Sequence, residues 1–320
     1  MLVNGIKVIF GGVAFAAPVE VAQEWLKTLE GLGIMNIDTA EAYGPSEEVL
    51  GNVNATSTFI LDTKILGGLG PRPSTKDVVV ESGINSLKKL KTDTVDVFYL
   101  HAPDRRVSWK DTLSGLNELY QQGAFKRLGL SQFLGREVEE IIRVAKENNF
   151  VVPSVYQGNY SAVARRAEEE IFPVLRKHNI SFYAYSPIAG GFLSKSKADL
   201  ADPDGRFGER NPLSPVYNAM YNRGGFISAL DTWGQIAKDE GVSRAALAYR
   251  WIFYHSRLQD DHGDGIILGA RKEEQLKETV EAIKRGPLSD SAVKKVDEIW
   301  QSVKADAWLD NFELSRTTQF

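Results

Sequence analysis

Short apolar segments recur along the chain and alternate with longer amphipathic ones. Each short segment has five to seven residues and is rich in β-branched or aromatic side chains, as is typical of buried strands. The pattern predicts eight strands, at residues 6–10, 34–38, 58–64, 95–101, 126–131, 153–157, 180–186 and 264–268.

The segments between these strands carry apolar residues at helical spacing, for example within 22–29 and 138–145. Ser74 and Ser108 are each followed three residues later by an aspartate, which predicts that each serine caps the start of a helix. Gly33 stands where the first helix is expected to end. Strands and helices therefore alternate along the chain.

This alternation predicts an α/β protein with a (β/α)8 barrel, the TIM-barrel arrangement, formed as a single domain by residues 1–320. The alternative is an open doubly wound sheet, which a Gly-x-Gly-x-x-Gly turn after the first strand would favour. The sequence lacks that turn. Residues 189–225, after the seventh strand, are too long for an ordinary connection, so we expect them to form a lid loop.

Composition excludes several classes of function. The 38 basic and 42 acidic residues give a net charge of -4, which argues against a nucleic-acid partner or an acidic membrane surface. The absence of cysteine excludes disulfides, thiolate nucleophiles and cysteine-ligated metals.

The longest apolar run, Val8 to Val19, has 12 residues, fewer than the ~20 that a membrane-spanning helix needs. Its preceding Lys7 and its small residues are also features of a signal peptide. Because the run overlaps the first predicted strand, we interpret it as part of the barrel. We therefore expect a cytoplasmic protein.

Three neighbouring strands end in side chains capable of acid–base chemistry. Asp38 ends the second strand, Lys64 the third and His101 the fourth, and Tyr43 follows Asp38 by five residues. The carboxyl ends of the strands form the active face of such a barrel. Each residue alone has an ordinary explanation, such as a helix cap or a packed ring, but four together favour a catalytic group.

These four residue types can protonate a developing alkoxide. An ammonium group near a phenol lowers the pKa of the phenol, and a carboxylate beside the lysine keeps it charged. The phenol then donates its proton while the histidine orients a carbonyl oxygen. We expect no catalytic metal, because there is no paired histidine motif, and no serine nucleophile, because no Gly-x-Ser-x-Gly turn occurs. Asp62, on the same strand face as Lys64, has no assigned role.

Six segments together resemble the aldo-keto reductase superfamily, most closely its aflatoxin-aldehyde reductase-like branch. They lie in the expected order, at residues 37–44 (IDTAEAYG), 63–64 (TK), 99–104 (YLHAPD), 129–133 (GLSQF), 156–160 (YQGNY) and 183–187 (YAYSP). The resemblance implies NADPH-dependent reduction of an aldehyde or ketone to an alcohol. Tyr43 would be the general acid, Lys64 would depress its pKa, Asp38 would hold Lys64, and His101 would position the substrate oxygen.

The resemblance also implies a set of cofactor contacts. Ser131, Gln132 and Gln157 would hold the nicotinamide carboxamide, although the family usually has Asn at the position of Gln132. Tyr185 would stack on the nicotinamide ring. The residues implied along the pyrophosphate are Ser186, Pro187, Ile188, Gly190, Gly191 and, in the lid, Arg206.

The end of the last strand predicts a phosphate site on physical grounds. Gly269 follows this strand, and a helix begins near Arg271 and Lys272, where free N–H groups favour an anion. Two cations are unfavourable beside a helix N-terminus unless an anion binds there, although a solvated polar face is the simpler alternative. The resemblance places the 2′-phosphate of NADPH here, on Arg271, Lys272 and Gln275, with Glu278 as a weaker adenosine contact.

Aromatic residues of the loops are candidates for the wall of a substrate pocket. They are Phe10, Phe15, Trp109, Tyr160, Tyr217 and Tyr221, together with the non-aromatic Met220. In the aflatoxin-aldehyde branch a lid arginine binds an acidic substrate, whereas this chain has Met220 at that position and Arg223 three residues later. We therefore expect a bulkier, uncharged aldehyde or ketone.

Two other functions stay open at this stage. One is a cofactor-sensing regulatory subunit, because some reductase-like barrels bind potassium channels. The other is an aldolase or isomerase that uses Lys64 as a Schiff base. The resemblance also makes a homodimer plausible.

Overall fold

The eight predicted strands form a closed parallel barrel in the computed structural model, which describes residues 1–317. Each strand pairs with the next one in the chain, and the last pairs with the first. The prediction of a (β/α)8 barrel is confirmed. The barrel strands are β2 (Ile6–Gly11), β3 (Asn36–Asp38), β4 (Ile60–Ile65), β5 (Val95–Leu100), β6 (Phe125–Ser131), β7 (Pro153–Asn159), β8 (Ser181–Tyr185) and β9 (Gly265–Leu268).

A further strand, β1 (Leu2–Val3), precedes the barrel and was not predicted. It pairs antiparallel with β2, so that Leu2 lies opposite Lys7. Asn4 and Gly5 make the turn between them with φ angles of 50° and 76°. A two-residue strand is too short for a period-two pattern, although the Asn-Gly pair is a known hairpin signal.

Helices surround the barrel and follow the predicted alternation. They are α1 (Val19–Leu32), α2 (Ser46–Asn52), α3 (Lys76–Leu90), α4 (Trp109–Gln121), α5 (Gly135–Glu147), α6 (Ala167–Glu170), α7 (Phe172–Lys177), α8 (Ser214–Tyr221), α9 (Gly224–Asp239), α10 (Arg244–Tyr254), α11 (Glu273–Lys284), α12 (Asp290–Val303) and α13 (Asn311–Thr317).

The predicted helix caps are partly correct. Ser108 caps α4, since its side chain accepts a hydrogen bond from the Asp111 N–H, and Gly33 ends α1 in the left-handed conformation with a φ of 72°. The cap predicted at Ser74 is wrong. Thr75 precedes α3 instead, and the Ser74 N–H donates to the Asp104 carboxylate at 2.7 Å.

The predicted lid follows β8 but is not irregular throughout. It contains two short 3-10 turns, Ala189–Ser194 and Ala198–Ala201, and then the helix α8. Pro215 lies in the first turn of α8, where proline is well tolerated because the N–H it lacks would have no helical partner. The segment predicted to be a loop therefore contains a helix that has a proline in its first turn.

Strand alternation separates an inner core from an outer core. The inner core is small and contains Ile9 of β2, while the neighbouring Phe10 belongs to the outer core. The Phe10 ring packs against Trp25 of α1 and against Phe15. The inner core consists of Ile9, Val97, Tyr99, Val155, Tyr183 and Ile267.

Three predicted wall residues therefore lie in the outer core. Phe10 and Phe15 are fully buried between the barrel and α1, and Tyr160 packs against Phe182 and Trp251. The Tyr160 hydroxyl donates to Glu168 at 2.6 Å. Because these side chains point away from the barrel interior, the structure does not support them as pocket walls.

Candidate active site

The four candidate catalytic residues lie at the carboxyl ends of three neighbouring strands. Asp38 is the last residue of β3, Lys64 is the penultimate residue of β4, and His101 follows β5 directly. Tyr43 lies in the loop between β3 and α2. The structure thus brings together the four side chains that the sequence analysis selected.

Lys64 is the centre of this cluster. Its ammonium nitrogen lies 2.6 Å from Asp38 Oδ2, 2.8 Å from the Thr39 carbonyl oxygen and 3.4 Å from Tyr43 Oη. The Lys64 side chain is completely buried. The Tyr43 ring meets the His101 ring edge-on, with the ring centres 5.8 Å apart.

Two opposing effects set the pKa of the Tyr43 phenol. Burial raises the pKa, and the Lys64 ammonium lowers it by a smaller amount. The net pKa therefore lies above the ordinary value of a tyrosine. Lys64 lowers the pKa of Tyr43 as predicted, but the net pKa is still raised, so the phenol keeps its proton at neutral pH.

Lys64 and His101 respond differently to burial. Burial lowers the pKa of the Lys64 ammonium, but Asp38 and Tyr43 raise it by more, so this group stays charged. Burial and the charge of Lys64 together hold the pKa of His101 well below its ordinary value. His101 is therefore a neutral imidazole, and its Nδ1 atom is buried with no hydrogen-bond partner among residues 1–317.

A chain of hydrogen bonds fixes the loop that carries Tyr43. The Thr39 and Ser46 hydroxyl oxygens are 2.7 Å apart, and Ser46 donates to the Gly12 carbonyl oxygen at 2.8 Å. Gly12 has no room for a side chain, because a Cβ atom there would lie 2.8 Å from the Asp38 carbonyl oxygen. The segment after β2 therefore supports the loop after β3.

The three residues predicted to hold a carboxamide border this cluster. Ser131 and Gln157 are register partners at the ends of β6 and β7. Gln157 Nε2 donates to Asp38 Oδ1 at 2.9 Å, and Gln132 Nε2 donates to the His101 carbonyl oxygen at 3.0 Å. Gln132 Oε1 is buried and has no partner in the described part of the chain, which leaves an acceptor for the N–H of a ligand.

Tyr185 ends β8, and its hydroxyl donates to Asn311 Oδ1 at 2.8 Å. Asn311 is the first residue of α13, so the C-terminal helix is tied to the predicted nicotinamide platform. The sequence analysis missed Asn311. The two residues are 126 positions apart, and no local pattern indicates the contact.

The predicted pyrophosphate loop, residues 186–191, lies beneath α8 of the lid. Gly190 has a φ of 65°, and a Cβ atom there would lie 2.1 Å from the Tyr217 ring. Glycine is therefore required for this contact. Arg206 also reaches Tyr217, with its guanidinium carbon 4.8 Å from the ring centre. Within this loop Pro187 is buried, while Ser186, Ile188 and Gly191 are half-buried.

The predicted phosphate site lies at the start of α11. Gln275 Oε1 accepts hydrogen bonds from the backbone N–H groups of Arg271 at 3.0 Å and Lys272 at 3.3 Å. Both cationic side chains are exposed, and within residues 1–317 neither has an ion-pair partner. Gly269 is exposed after β9 with free space around it, and Glu278 is exposed further along α11.

The remaining wall candidates lie in the lid and at the start of α4. Trp109 is half-buried against Phe133, with the ring centres 5.6 Å apart. Tyr217 is half-buried in α8 and makes a small contribution to the raised pKa of Tyr43. Met220 and Tyr221 are buried in α8, and Tyr221 donates to Asn159 Oδ1 at 3.4 Å.

No helix within residues 1–317 is both long and apolar enough to cross a membrane. In the same described part of the chain, no group of three or more histidine or carboxylate side chains is arranged to hold a metal ion.

The amino-acid sequence of this chain matches a known protein family. The model of the aldo/keto reductase family matches residues 7–301. The chain therefore belongs to the aldo/keto reductase family and is an oxidoreductase that acts on a small molecule.

The relatives that it resembles cover nearly its whole length. It is 35% identical to oxidoreductase sirO of Leptosphaeria maculans over 94% of this chain and 95% of the relative. It is 38% identical to aflatoxin B1 aldehyde reductase member 4 of Homo sapiens, over 84% of this chain and 85% of the relative. An aldo-keto reductase of Pseudocercospora fijiensis is 35% identical over 88% of this chain and 98% of its own length. The resemblance to the aflatoxin-aldehyde reductase-like branch is thereby confirmed.

Proposed function

We propose that this protein reduces an aldehyde or ketone to an alcohol with NADPH, and that Tyr43 supplies the proton. The observation that carries the proposal is the buried Lys64 ammonium, which bonds both Asp38 and Tyr43 at the rim of the barrel. This contact gives the phenol a permanent positive neighbour as it loses its proton.

Each of the four residues in the cluster would have its own role in the reduction. Tyr43 would hold the carbonyl oxygen and donate its proton as negative charge develops there. Lys64 stabilises the phenolate that remains, and Asp38 keeps Lys64 in place. His101, as a neutral imidazole, would offer a second hydrogen bond without adding charge. Preorganised donors of this kind stabilise an oxyanion without rearrangement.

The residues around the cluster fit a nicotinamide cofactor, which when bound supplies the hydride. The free Gln132 Oε1 atom suits the N–H donors of a carboxamide. Tyr185 would provide the ring on which the nicotinamide stacks, oriented by its bond to Asn311. Gly190 and Gly191, both with positive φ, give a backbone loop that a pyrophosphate can approach closely.

A preference for NADPH over NADH rests on the start of α11. Arg271 and Lys272 are exposed, have no ion-pair partner among residues 1–317 and flank a helix N-terminus, which is a favourable place for a phosphate. Gln275 organises the same turn through its two backbone contacts. Glu278 is retained as the weaker adenosine contact.

The coenzyme assignment is tested with the variants Arg271→Ala and Lys272→Ala. Each should raise the Kd and KM for NADPH by about tenfold or more while changing those for NADH little, because only NADPH carries the 2′-phosphate. Kd is measured by fluorescence titration and KM by loss of nicotinamide absorbance. Equal effects on both coenzymes would remove the assignment.

The proposed substrate is a bulky, uncharged carbonyl compound. Trp109 at the start of α4 and Tyr217 in the lid are half-buried aromatic side chains, and Met220 brings no charge to the lid. The Arg223 guanidinium lies over the Phe226 ring, 5.7 Å from its centre. A panel that pairs neutral aromatic aldehydes with their carboxylate derivatives should show higher kcat/KM for the neutral members.

Lys64 is poorly suited to the alternative of Schiff-base chemistry. A nucleophilic amine must be uncharged, whereas Asp38 and Tyr43 outweigh the effect of burial and keep the pKa of Lys64 raised. Borohydride trapping of Lys64 with a carbonyl compound should therefore fail. A cofactor-sensing regulatory subunit would instead bind NADPH and show negligible turnover across the panel.

The proposal further includes a single domain over residues 1–320, a cytoplasmic location, a homodimer and no nucleic-acid partner.

A further inference from the structure

Asp62 is a buried carboxyl group directly behind the catalytic cluster. It lies in β4 two residues before Lys64, so both side chains point to the same face of the strand. It is also the register partner of Asp38 on β3. Asp62 is 1% exposed, and its Oδ1 atom accepts a hydrogen bond from the Val97 N–H at 3.0 Å.

No cation neutralises Asp62 within residues 1–317. Its Oδ2 atom is buried without a hydrogen-bond partner. The Lys64 ammonium has three N–H donors, and they point to Asp38, the Thr39 carbonyl oxygen and Tyr43. Arg127 bonds Asp96 at 2.6 Å and the Tyr183 hydroxyl at 3.1 Å.

The carboxyl groups of Asp38 and Asp62 therefore lie on neighbouring strands, and Lys64 separates them from the Tyr43 phenol. A buried carboxylate without a partner is costly, and such a group takes up a proton instead. We propose that Asp62 is held as a neutral carboxylic acid and acts as a positioning residue, so that among residues 1–317 the ionisable partners of Lys64 are Asp38 and Tyr43. The inference rests on the proposed function of Lys64 and Tyr43.

The groups that face Asp62 determine where it titrates. Burial and the negative charges of Asp38 and Asp96 raise its pKa to about 8, while Arg127 and the Val97 N–H oppose the rise. Tyr99 of β5, whose hydroxyl is also buried without a partner in the described residues, faces the same space and has a raised pKa. Further along this interior, Lys7 of β2 donates to the Tyr183 hydroxyl of β8 at 2.9 Å.

Ionisation of Asp62 would place a second anion behind Lys64. Reduction creates negative charge on the substrate oxygen, and a nearby buried anion opposes that charge. The rate of hydride transfer should therefore fall as Asp62 loses its proton. The isosteric variant Asp62→Asn stays neutral at every pH and keeps an acceptor for the Val97 N–H.

The first test compares pH profiles of the single-turnover reduction rate between about pH 6 and pH 9. The wild-type rate should fall by about five- to tenfold near pH 8, and the Asp62→Asn profile should lack that step. Tyr99→Phe is the matched control, because it alters the same interior without removing the carboxyl group and should keep the step. Identical profiles for wild type and Asp62→Asn would overturn the proposal.

The second test needs neither turnover nor the Asp62→Asn variant. Infrared titration of protein with 13C-labelled aspartate, in an Asp310→Asn background, reports protonated aspartate directly. Asp310 is removed because its pKa is also raised, to about 7. A carboxylic acid band at neutral pH that disappears near pH 8 supports the proposal, and its absence at neutral pH refutes it. If the wild type reduces no carbonyl compound, the proposed function is refuted. The infrared measurement still decides whether Asp62 is protonated.

Discussion

Replacing Lys64 by methionine tests the cluster most completely, because the change removes one charge and keeps most of the volume. In the wild type the ammonium lies 3.4 Å from Tyr43 Oη and 2.6 Å from Asp38 Oδ2. A charge pair about 4 Å apart interacts by about 4 kcal/mol at the effective dielectric of proteins. Loss of most of that stabilisation from the developing phenolate should lower kcat by about 10²- to 10³-fold.

The same substitution leaves the buried Asp38 carboxylate without its cationic partner. Its remaining side-chain partner is Gln157, at 2.9 Å. Breaking a buried ion pair by removing one partner costs about 3–5 kcal/mol of unfolding free energy. We expect Lys64→Met to lose that amount of unfolding free energy in urea denaturation at pH 7.

The double variant Lys64→Met/Asp38→Asn separates structure from catalysis. It removes both charges, so most of the unfolding free energy should return, whereas kcat should stay low because Tyr43 still lacks its cation. Denaturation and NADPH-linked turnover are measured on the wild type, both single variants and the double variant. Recovery of turnover together with stability would show that Lys64 acts only by supporting the fold.

Two further predictions concern contacts away from the reacting atoms. Removing either partner of the Tyr185–Asn311 hydrogen bond, as Tyr185→Phe or Asn311→Ala, should weaken NADPH binding by about three- to tenfold in fluorescence titration. The double variant should bind no more weakly than the weaker single variant, and additive effects would contradict a shared role. For Asp62, the native pKa of about 8 exceeds the unfolded value of ~3.9, so the folded protein keeps a proton that the unfolded chain has lost. The unfolding free energy of the wild type should therefore fall relative to that of Asp62→Asn, by up to about 1.4 kcal/mol per pH unit as the pH rises from about 5 to about 8. A difference between the two proteins that does not change with pH would refute the raised pKa.

The fold and the meeting of the catalytic side chains could be predicted because both depend on short-range patterns. Each barrel strand is an apolar segment, and the parallel arrangement brings Asp38, Lys64 and His101 to one rim. The capping serine Ser108 acts within one helical turn of its own position. Local sequence carries this kind of information directly.

Features that depend on orientation or distant contacts could not be predicted. Phe10 points outward because its neighbour Ile9 points inward, and an apolar run buried on both faces does not show which residue takes which side. The partner of Tyr185 lies in the C-terminal helix. The net pKa of Tyr43 depends on how far burial outweighs Lys64, which only the packed site determines.

The central claim is that Tyr43 is the proton donor, and the variant Tyr43→Phe tests it most directly. The variant removes one hydroxyl group and leaves the Lys64–Asp38 pair in place. Single-turnover loss of NADPH absorbance with a reactive aldehyde should slow by about 10²- to 10⁴-fold, while the Kd for NADPH stays unchanged. A reduction rate within a few-fold of the wild type would contradict the account.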